Sequence, residues 1–330
     1  MTSSAIIVNP SKVIDLDERR REICDLLGAA GWPEPLWLTT TPEDPGCGMA
    51  VQAVEAGVDV VLVCGGDGTV MAVASVLAGT DVALALVPSG TGNLLATNLG
   101  VTRDVRAAVE VAIHGDRRRI DVGIVDGADT STGHPGTFTV MAGMGFDAEM
   151  LDATPDTAKR RFGWLAYVAA GVRRLHRKRV LMRIRLDGGR WIRRRARSVL
   201  VANVGRLQGG IPLLPDARPD DGWLDVAVLT PRDITDWIQL GWGVVMRRGG
   251  TRQLETFRAR KVEVHTDQDQ ARELDGDVVA PARLLVARIA PAALTLCVPK
   301  EPALLEPPVA PDAPEADAPE APRATPPRGA

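Results

Sequence analysis

Over the first third of the chain, short runs that are apolar at almost every position alternate with longer stretches where apolar residues recur every three or four positions. Residues 5–8, 36–39, 58–63 and 82–87 are the short runs, and the third is broken only by Asp59. Runs of this length and character predict strands buried on both faces. Between them, Leu16, Ile23, Leu26 and Leu27 recur at helical spacing before Gly28 and Gly31, and residues 49–56, 70–77 and 94–99 also read as helices. Strand and helix in alternation predict an α/β domain with a doubly wound, mostly parallel sheet. Ligands of such sheets lie beyond the carboxyl ends of the strands. Asn9, Thr40, Asp67 and Gly90 all follow predicted strand ends, so one crevice can collect them.

The pattern changes around residues 119–125. Residues 137–142, 180–186, 198–204, 224–229, 262–266 and 284–289 read as strands, and Asp187-Gly188 and Asp275-Gly276 as hairpin turns. This predicts a second, mainly antiparallel domain, a β-sandwich, interrupted by helices over 159–179 and 233–248. The expected organisation is an α/β domain over 1–121 and a β-rich domain over 122–299, whose last strand can return to the first domain. Residues 300–330 hold nine prolines among alanines and acids and are expected to be a disordered tail.

Composition sharpens this in three places. Aromatic residues are only 4% of the 330, so the cores must rest on Val, Leu, Ile and Ala. Cys24, Cys47, Cys64 and Cys297 show no metal or redox spacing, which argues against structural zinc and fits a reducing cytoplasm. No signal peptide is visible, and the longest central apolar run, 162–172, is about half a membrane span, so no segment is expected to cross a bilayer. The net charge of −3 conceals a basic block: residues 159–197 carry 15 Lys and Arg against the single acid Asp187. Such a block has to be surface.

The candidate chemistry centres on Gly65-Gly66-Asp67-Gly68-Thr69, between a predicted strand and a predicted helix. Glycines let a backbone approach a phosphate closely, and a helix N-terminus offers unpaired N–H groups. Asp67 does not bind phosphate directly; it either holds a cation or caps a helix. A bland strand-to-helix turn is the competing explanation. Pro88-Ser89-Gly90-Thr91-Gly92-Asn93 forms a second glycine loop after the next strand, in the same predicted crevice. No Gly-x-x-x-x-Gly-Lys-Ser/Thr string occurs, which excludes a P-loop enzyme.

The first string resembles the nucleotide-binding signature of the diacylglycerol kinase and sphingosine kinase superfamily; NAD kinases and phosphofructokinases carry a related one. Four more stretches resemble the soluble bacterial lipid kinases of the diacylglycerol kinase family. They are the Pro88 loop with Leu94-Leu95-Ala96, Gly143-Met144-Gly145-Phe146-Asp147-Ala148, the set Pro215, Asp220-Asp221-Gly222 and Asp225, and Asp275-Gly276-Asp277. The chain departs from the family pattern where Met71 and Ala72 replace Asn and Glu, and where Asp277 replaces Glu.

The resemblance implies transfer of the γ-phosphoryl of ATP to a lipid hydroxyl, diacylglycerol giving phosphatidic acid, with Mg²⁺. Gly65, Gly66, Gly68 and Thr69 would cradle phosphates, and Asp67 would hold the catalytic Mg²⁺. Asn9, Pro10, Ser11, Thr40 or Thr41, Gly90, Thr91 and Asn93 would complete the nucleotide site. Asp277 would be the general base, with Asp275 as second choice or metal partner, and a solvated hairpin turn is the plain alternative for both. Asp221, with carbonyls of Arg218 and Trp223, would hold a structural Mg²⁺. The basic block would meet an anionic membrane from the cytoplasmic side, and nucleic acid is not an expected partner. An NAD kinase-like phosphotransferase, or a non-catalytic relic that binds lipid or nucleotide, is the alternative.

Overall fold

The computed structural model describes residues 1–128, 136–145, 179–206, 213–232, 235–236 and 253–300. The first lobe runs β1 (Ser4–Val8), α1 (Leu16–Ala29), β2 (Leu36–Thr39), α2 (Cys47–Glu55), β3 (Val60–Gly65), α3 (Asp67–Leu77), β4 (Ala83–Pro88), α4 (Leu94–Asn98) and α5 (Val105–His114). Strands β1, β3 and β4 are buried along their whole length, so the sheet is covered on both faces. The parallel order is β2-β1-β3-β4. Local chemistry sets the helix starts. Asp15 caps α1 through Glu18 N at 2.9 Å, and Asp104 caps α5 through Ala107 N at 2.8 Å. The pattern above did not predict α5.

The second lobe comprises β5 (Asp116–Val125), β6 (Gly136–Phe138), β7 (Met141–Met144), β8 (Val180–Leu186), β9 (Ile192–Ala196), β10 (Ser198–Ala202), β11 (Leu224–Leu229), β12 (Leu254–Ala259), β13 (Lys261–Leu274) and β14 (Asp277–Val298). Its pairings are antiparallel. A single sheet path, β12-β11-β10-β7-β13-β14-β4-β3-β1-β2, joins both lobes. The join is β14. Its first half pairs with β13, its second half lies antiparallel to β5, and Thr295 and Leu296 pair in parallel with β4. Residues Met1–Pro299 accordingly form one packed unit.

Several boundaries differ from the sequence pattern. The run 137–142 is split into β6 and β7 because Thr139, Val140 and Met141 turn their N–H groups onto a buried carboxylate. Both hairpin strands around Asp275-Gly276 continue well beyond 262–266 and 284–289, through the polar run 267–270 and past Pro281 and Pro291. The strand pairing β13–β14 bulges between His265 and Arg272, and β14–β5 bulges between Ala290 and Leu294. Strands β9 and β12 were hidden by their arginines and glutamates. The helices expected over 159–179 and 233–248, and residues 301–330, lie outside the described residues except for Arg179 and the short piece 235–236.

Candidate active site

The first glycine stretch ends β3 and opens α3; the second ends β4 and opens α4. The two loops touch backbone to backbone. A Cβ built on Gly90 would lie 2.6 Å from Gly66 Cα, so a side chain there would push the loops apart. Asn93 clips the second loop shut. Its Oδ1 accepts from Gly90 N at 3.1 Å and its Nδ2 donates to Gly90 O at 2.7 Å, with the residue in the left-handed region at φ 49°. Asp67 bridges the loops: its Oδ1 accepts Leu94 N at 2.6 Å. Asp67 is thus a cap, but for α4 rather than for the helix it begins. Burial raises its carboxyl above the ordinary range, against the donors at Leu94 and Asn93 and the charge of Arg103.

The β1 and β2 ends complete the rim. Asn9 Nδ2 donates to Thr69 Oγ1 at 3.2 Å, and Asn9 Oδ1 accepts from Ser11 N and Oγ at 3.0 and 2.8 Å. Pro10 is exposed in this turn. Thr40 is buried, its N–H on Val8 O at 2.9 Å, whereas Thr41 is exposed and its Oγ1 accepts Asp44 N at 3.1 Å. Asp44 then holds the start of α2 through Gly46 N and Gly48 N. Thr91 is exposed, and its carbonyl receives Arg103 Nη2. The sequence pattern offered no signal for Asp44 or Arg103. Met71 and Ala72 are buried in α3, and Met71 packs into the apolar cluster of the second lobe with Val125 and Phe138. At that position, packing between lobes stands where a polar contact would be.

The β13–β14 turn faces α3 from the second lobe. Asp277 is solvent-accessible, and its Oδ2 lies 3.3 Å from where a Cβ on Gly68 would stand, over the first turn of α3. Its carboxyl is raised by desolvation and then by the Asp67 charge. Asp275, two residues away, does not open on the crevice. It is buried and accepts four hydrogen bonds, from Thr139 N and Oγ1 at 2.8 and 2.9 Å, Val140 N at 2.9 Å and Met141 N at 2.8 Å. Burial pushes it up to about 6 despite these donors. Its lone pairs are committed, so the expected alternative role as base or metal partner does not suit its position. Glu273 was not anticipated. It is buried beside Gly143, its Oε2 has no partner among the described residues, and burial together with the Asp275 charge pushes it up to about 7.

The Asp221 loop is a separate place. Asp121 anchors it: Oδ2 accepts Gly222 N at 2.7 Å, Oδ1 accepts Ala292 N at 2.7 Å, and its own N–H meets Pro219 O. Arg118 holds Asp220. Both Asp221 oxygens are engaged, Oδ1 by Trp223 N at 3.1 Å and Oδ2 by Arg258, which also approaches Asp225 Oδ1 at 3.4 Å. Asp225 Oδ2 is buried without a partner among the described residues, and Asp221 and Asp216 raise the Asp225 carboxyl further after desolvation, against the charge of Arg258. Among the described residues no group of three or more His, Cys, Asp or Glu could hold a metal ion. As arranged, Asp221 does not fit the expected Arg218–Asp221–Trp223 metal site, because Arg258 supplies the positive charge there. Asp67 and Asp277 suit a cation better, being two carboxyls close enough for the Asp67 charge to raise that of Asp277.

Residues 4–125 match the diacylglycerol kinase catalytic domain, and residues 139–298 match the YegS C-terminal NAD kinase beta sandwich-like domain. A protein named diacylglycerol kinase from Mycobacterium tuberculosis (strain ATCC 25618 / H37Rv) is 30% identical over 254 residues, covering 73% of this chain and 80% of that protein. A Pseudomonas aeruginosa (strain UCBPP-PA14) protein, "Probable lipid kinase YegS-like", is 30% identical over 264 residues, covering 78% and 82%. In fold, the chain is similar to a crystal structure of a diacylglycerol kinase from Bacillus anthracis str. Sterne, with TM-score 0.71 at 22% identity over 90% of this chain and 96% of the other. The chain belongs to the diacylglycerol kinase catalytic-domain family of lipid kinases. Among the described residues no helix is long and apolar enough to cross a membrane.

Proposed function

We propose that this chain transfers the γ-phosphoryl group of ATP to the free hydroxyl of diacylglycerol, giving phosphatidic acid and ADP. The observation that carries the reading is Asp277, delivered by the second lobe to the first turn of α3. Phosphates of the nucleotide would lie along the N–H groups of Gly66, Gly68 and Thr69, with Gly65 letting Thr69 pack tightly behind them. Asn9, Ser11 and Thr69 form one polar rim, Gly90, Thr91 and Asn93 the other, and Pro10, Thr40 and Thr41 border the crevice beyond β1 and β2. Mg²⁺ would be held by Asp67, with Asp277 near it, and would neutralise charge on the phosphates.

Asp277 takes the proton of the lipid hydroxyl as its oxygen bonds to the γ-phosphorus and the bond to the β-phosphate oxygen breaks. A carboxyl raised above its ordinary range is the stronger base for this step. Asp275 acts as a positioning residue, holding the turn to the β6–β7 bend through its four donors. At the Asp221 loop, a divalent ion bound by Asp221 and the carbonyls of Arg218 and Trp223 would have to displace Arg258 first.

The acceptor is a bilayer lipid, so the enzyme works at a membrane surface, on the cytoplasmic side. The cysteines Cys47, Cys64 and Cys297 are buried and not in disulfides, which suits a reducing compartment. The test is incubation with γ-labelled ATP, Mg²⁺ and fractionated native lipids, followed by chromatography of the products. Labelled phosphatidic acid is expected. A different labelled lipid would overturn the substrate, and label in NAD with none in lipid would overturn the kinase class.

A further inference from the structure

Strand register sorts the edge of the second lobe into an inner and an outer face. Ile184, Val264 and Leu285 lie side by side on β8, β13 and β14, and all are buried in the second lobe's apolar cluster. One position along, the neighbours are Arg193 on β9, Arg183 on β8, His265 on β13 and Leu284 on β14. Because side chains alternate across a strand, this row points outward. So do the pair Leu181 and Arg195 and the pair Arg185 and Glu263. Trp191, at the start of the hairpin's second arm, lies under the Arg185 guanidinium at 4.7 Å.

Two features of this face need explaining. First, large apolar side chains stand in water among the charges: Leu181 is 40% exposed, Trp191 45% and Leu284 45%. Second, the charges are unbalanced. Arg183, Arg185, Arg193, Arg195 and Lys261 share the face with Glu263, which binds both Arg185 and Lys261, and with Asp267, which pairs with Arg183 at 3.6 Å. Arg193 and Arg195 make no ion pair among the described residues. Arg194, between them, turns the other way and bonds Glu255 at 2.7 and 2.9 Å. Arginines on an edge strand also guard against unwanted pairing. That role accounts for Arg193 and Arg195 but not for three exposed apolar side chains beside them.

We propose that the outer face of β9, β8 and β13 is the surface that docks this enzyme on an anionic lipid bilayer. Arg193 and Arg195 lie over the phosphates, while Trp191 and Leu181 enter the headgroup layer as an amphipathic anchor. Complementarity of charge argues for the occupant, and the exposed aliphatic side chains of Leu181 and Leu284 among the arginines argue for a membrane, whose interior is apolar, over a nucleic acid. The inference rests on the lipid kinase reading, because a bilayer is where that acceptor is found.

Vesicle sedimentation tests it, with wild type, Arg193→Gln/Arg195→Gln, Trp191→Ala and Arg194→Gln. Phosphatidylcholine vesicles with and without phosphatidylglycerol are the probes, at low and at higher salt. The double variant is expected to lose about thirtyfold in binding to the anionic vesicles, less at higher salt. Arg194→Gln removes a charge from elsewhere and is expected to lose far less. Trp191→Ala should weaken binding to both vesicle types. Equal loss in the double variant and Arg194→Gln, or none in either, would overturn the assignment. Preference of the wild type for a single-stranded oligonucleotide over anionic vesicles would also overturn it. Turnover on dispersed short-chain diacylglycerol is measured alongside. If the double variant keeps that turnover, its vesicle result speaks to docking alone, whereas a wild type without turnover defeats the kinase reading independently of binding.

Discussion

Glu273 and Asp275 are two positions apart, both buried and both acidic, and their burial is answered very differently. Asp275 has four donors; Glu273 has an oxygen with none among the described residues. The unfolded chain titrates Glu273 near its ordinary 4.5, the folded chain at about 7. Between those values the folded state keeps a proton that the unfolded state has lost. Stability therefore falls as pH rises through that window, and the loss is complete above it. Glu273→Gln removes the titration without removing the shape. It is expected to stabilise the protein by up to about 3 kcal/mol at about pH 8, and several-fold less at about pH 5. Thermal melts at the two pH values check this; equal shifts at both would mean that Glu273 is not the titrating group.

Among the elements, the parallel strands and their loops were legible because buried parallel strands are written as unbroken apolar runs, and because glycines mark where backbones must approach. Gly66 and Gly90 show that requirement in contact. What the pattern could not convey was reach. β13 and β14 continue through polar and proline residues because each bulges there and finds partners on both sides. Nor could spacing tell Asp275 from Asp277, since a left-handed Asp-Gly turn points successive side chains in different directions. The resemblance supplied the Asp221 loop but not Arg258, which reaches it across the β11–β12 pairing opposite Asp225. Replacing that guanidinium leaves the Asp221 and Asp225 carboxylates without their cation. Arg258→Met is expected to lower the melting temperature by a few degrees in chelator, and added Mg²⁺ should restore more in the variant than it adds to the wild type. An equal Mg²⁺ effect on both would mean that the arginine does not do the metal's work.

At the scale of the whole molecule, β14 belongs to both lobes, Asp121 ties its bulge to the Asp221 loop, and Met71 of the first lobe sits in the core of the second. The lobes should therefore unfold together. Trp32 and Trp37 report on the first and Trp191 and Trp223 on the second, so fluorescence and far-ultraviolet circular dichroism should give superimposable unfolding curves. Separated transitions would show that β14 does not couple them. The same coupling makes the proposed catalysis a property of the assembled chain, because the first turn of α3 and the Asp277 carboxylate above it come from different lobes. Turnover of dispersed diacylglycerol by Asp277→Asn, measured beside ATP binding, tests that claim most directly. The account predicts a fall of about a hundred- to ten-thousand-fold in kcat with ATP affinity and melting temperature little changed; near-wild-type turnover in that variant would contradict it.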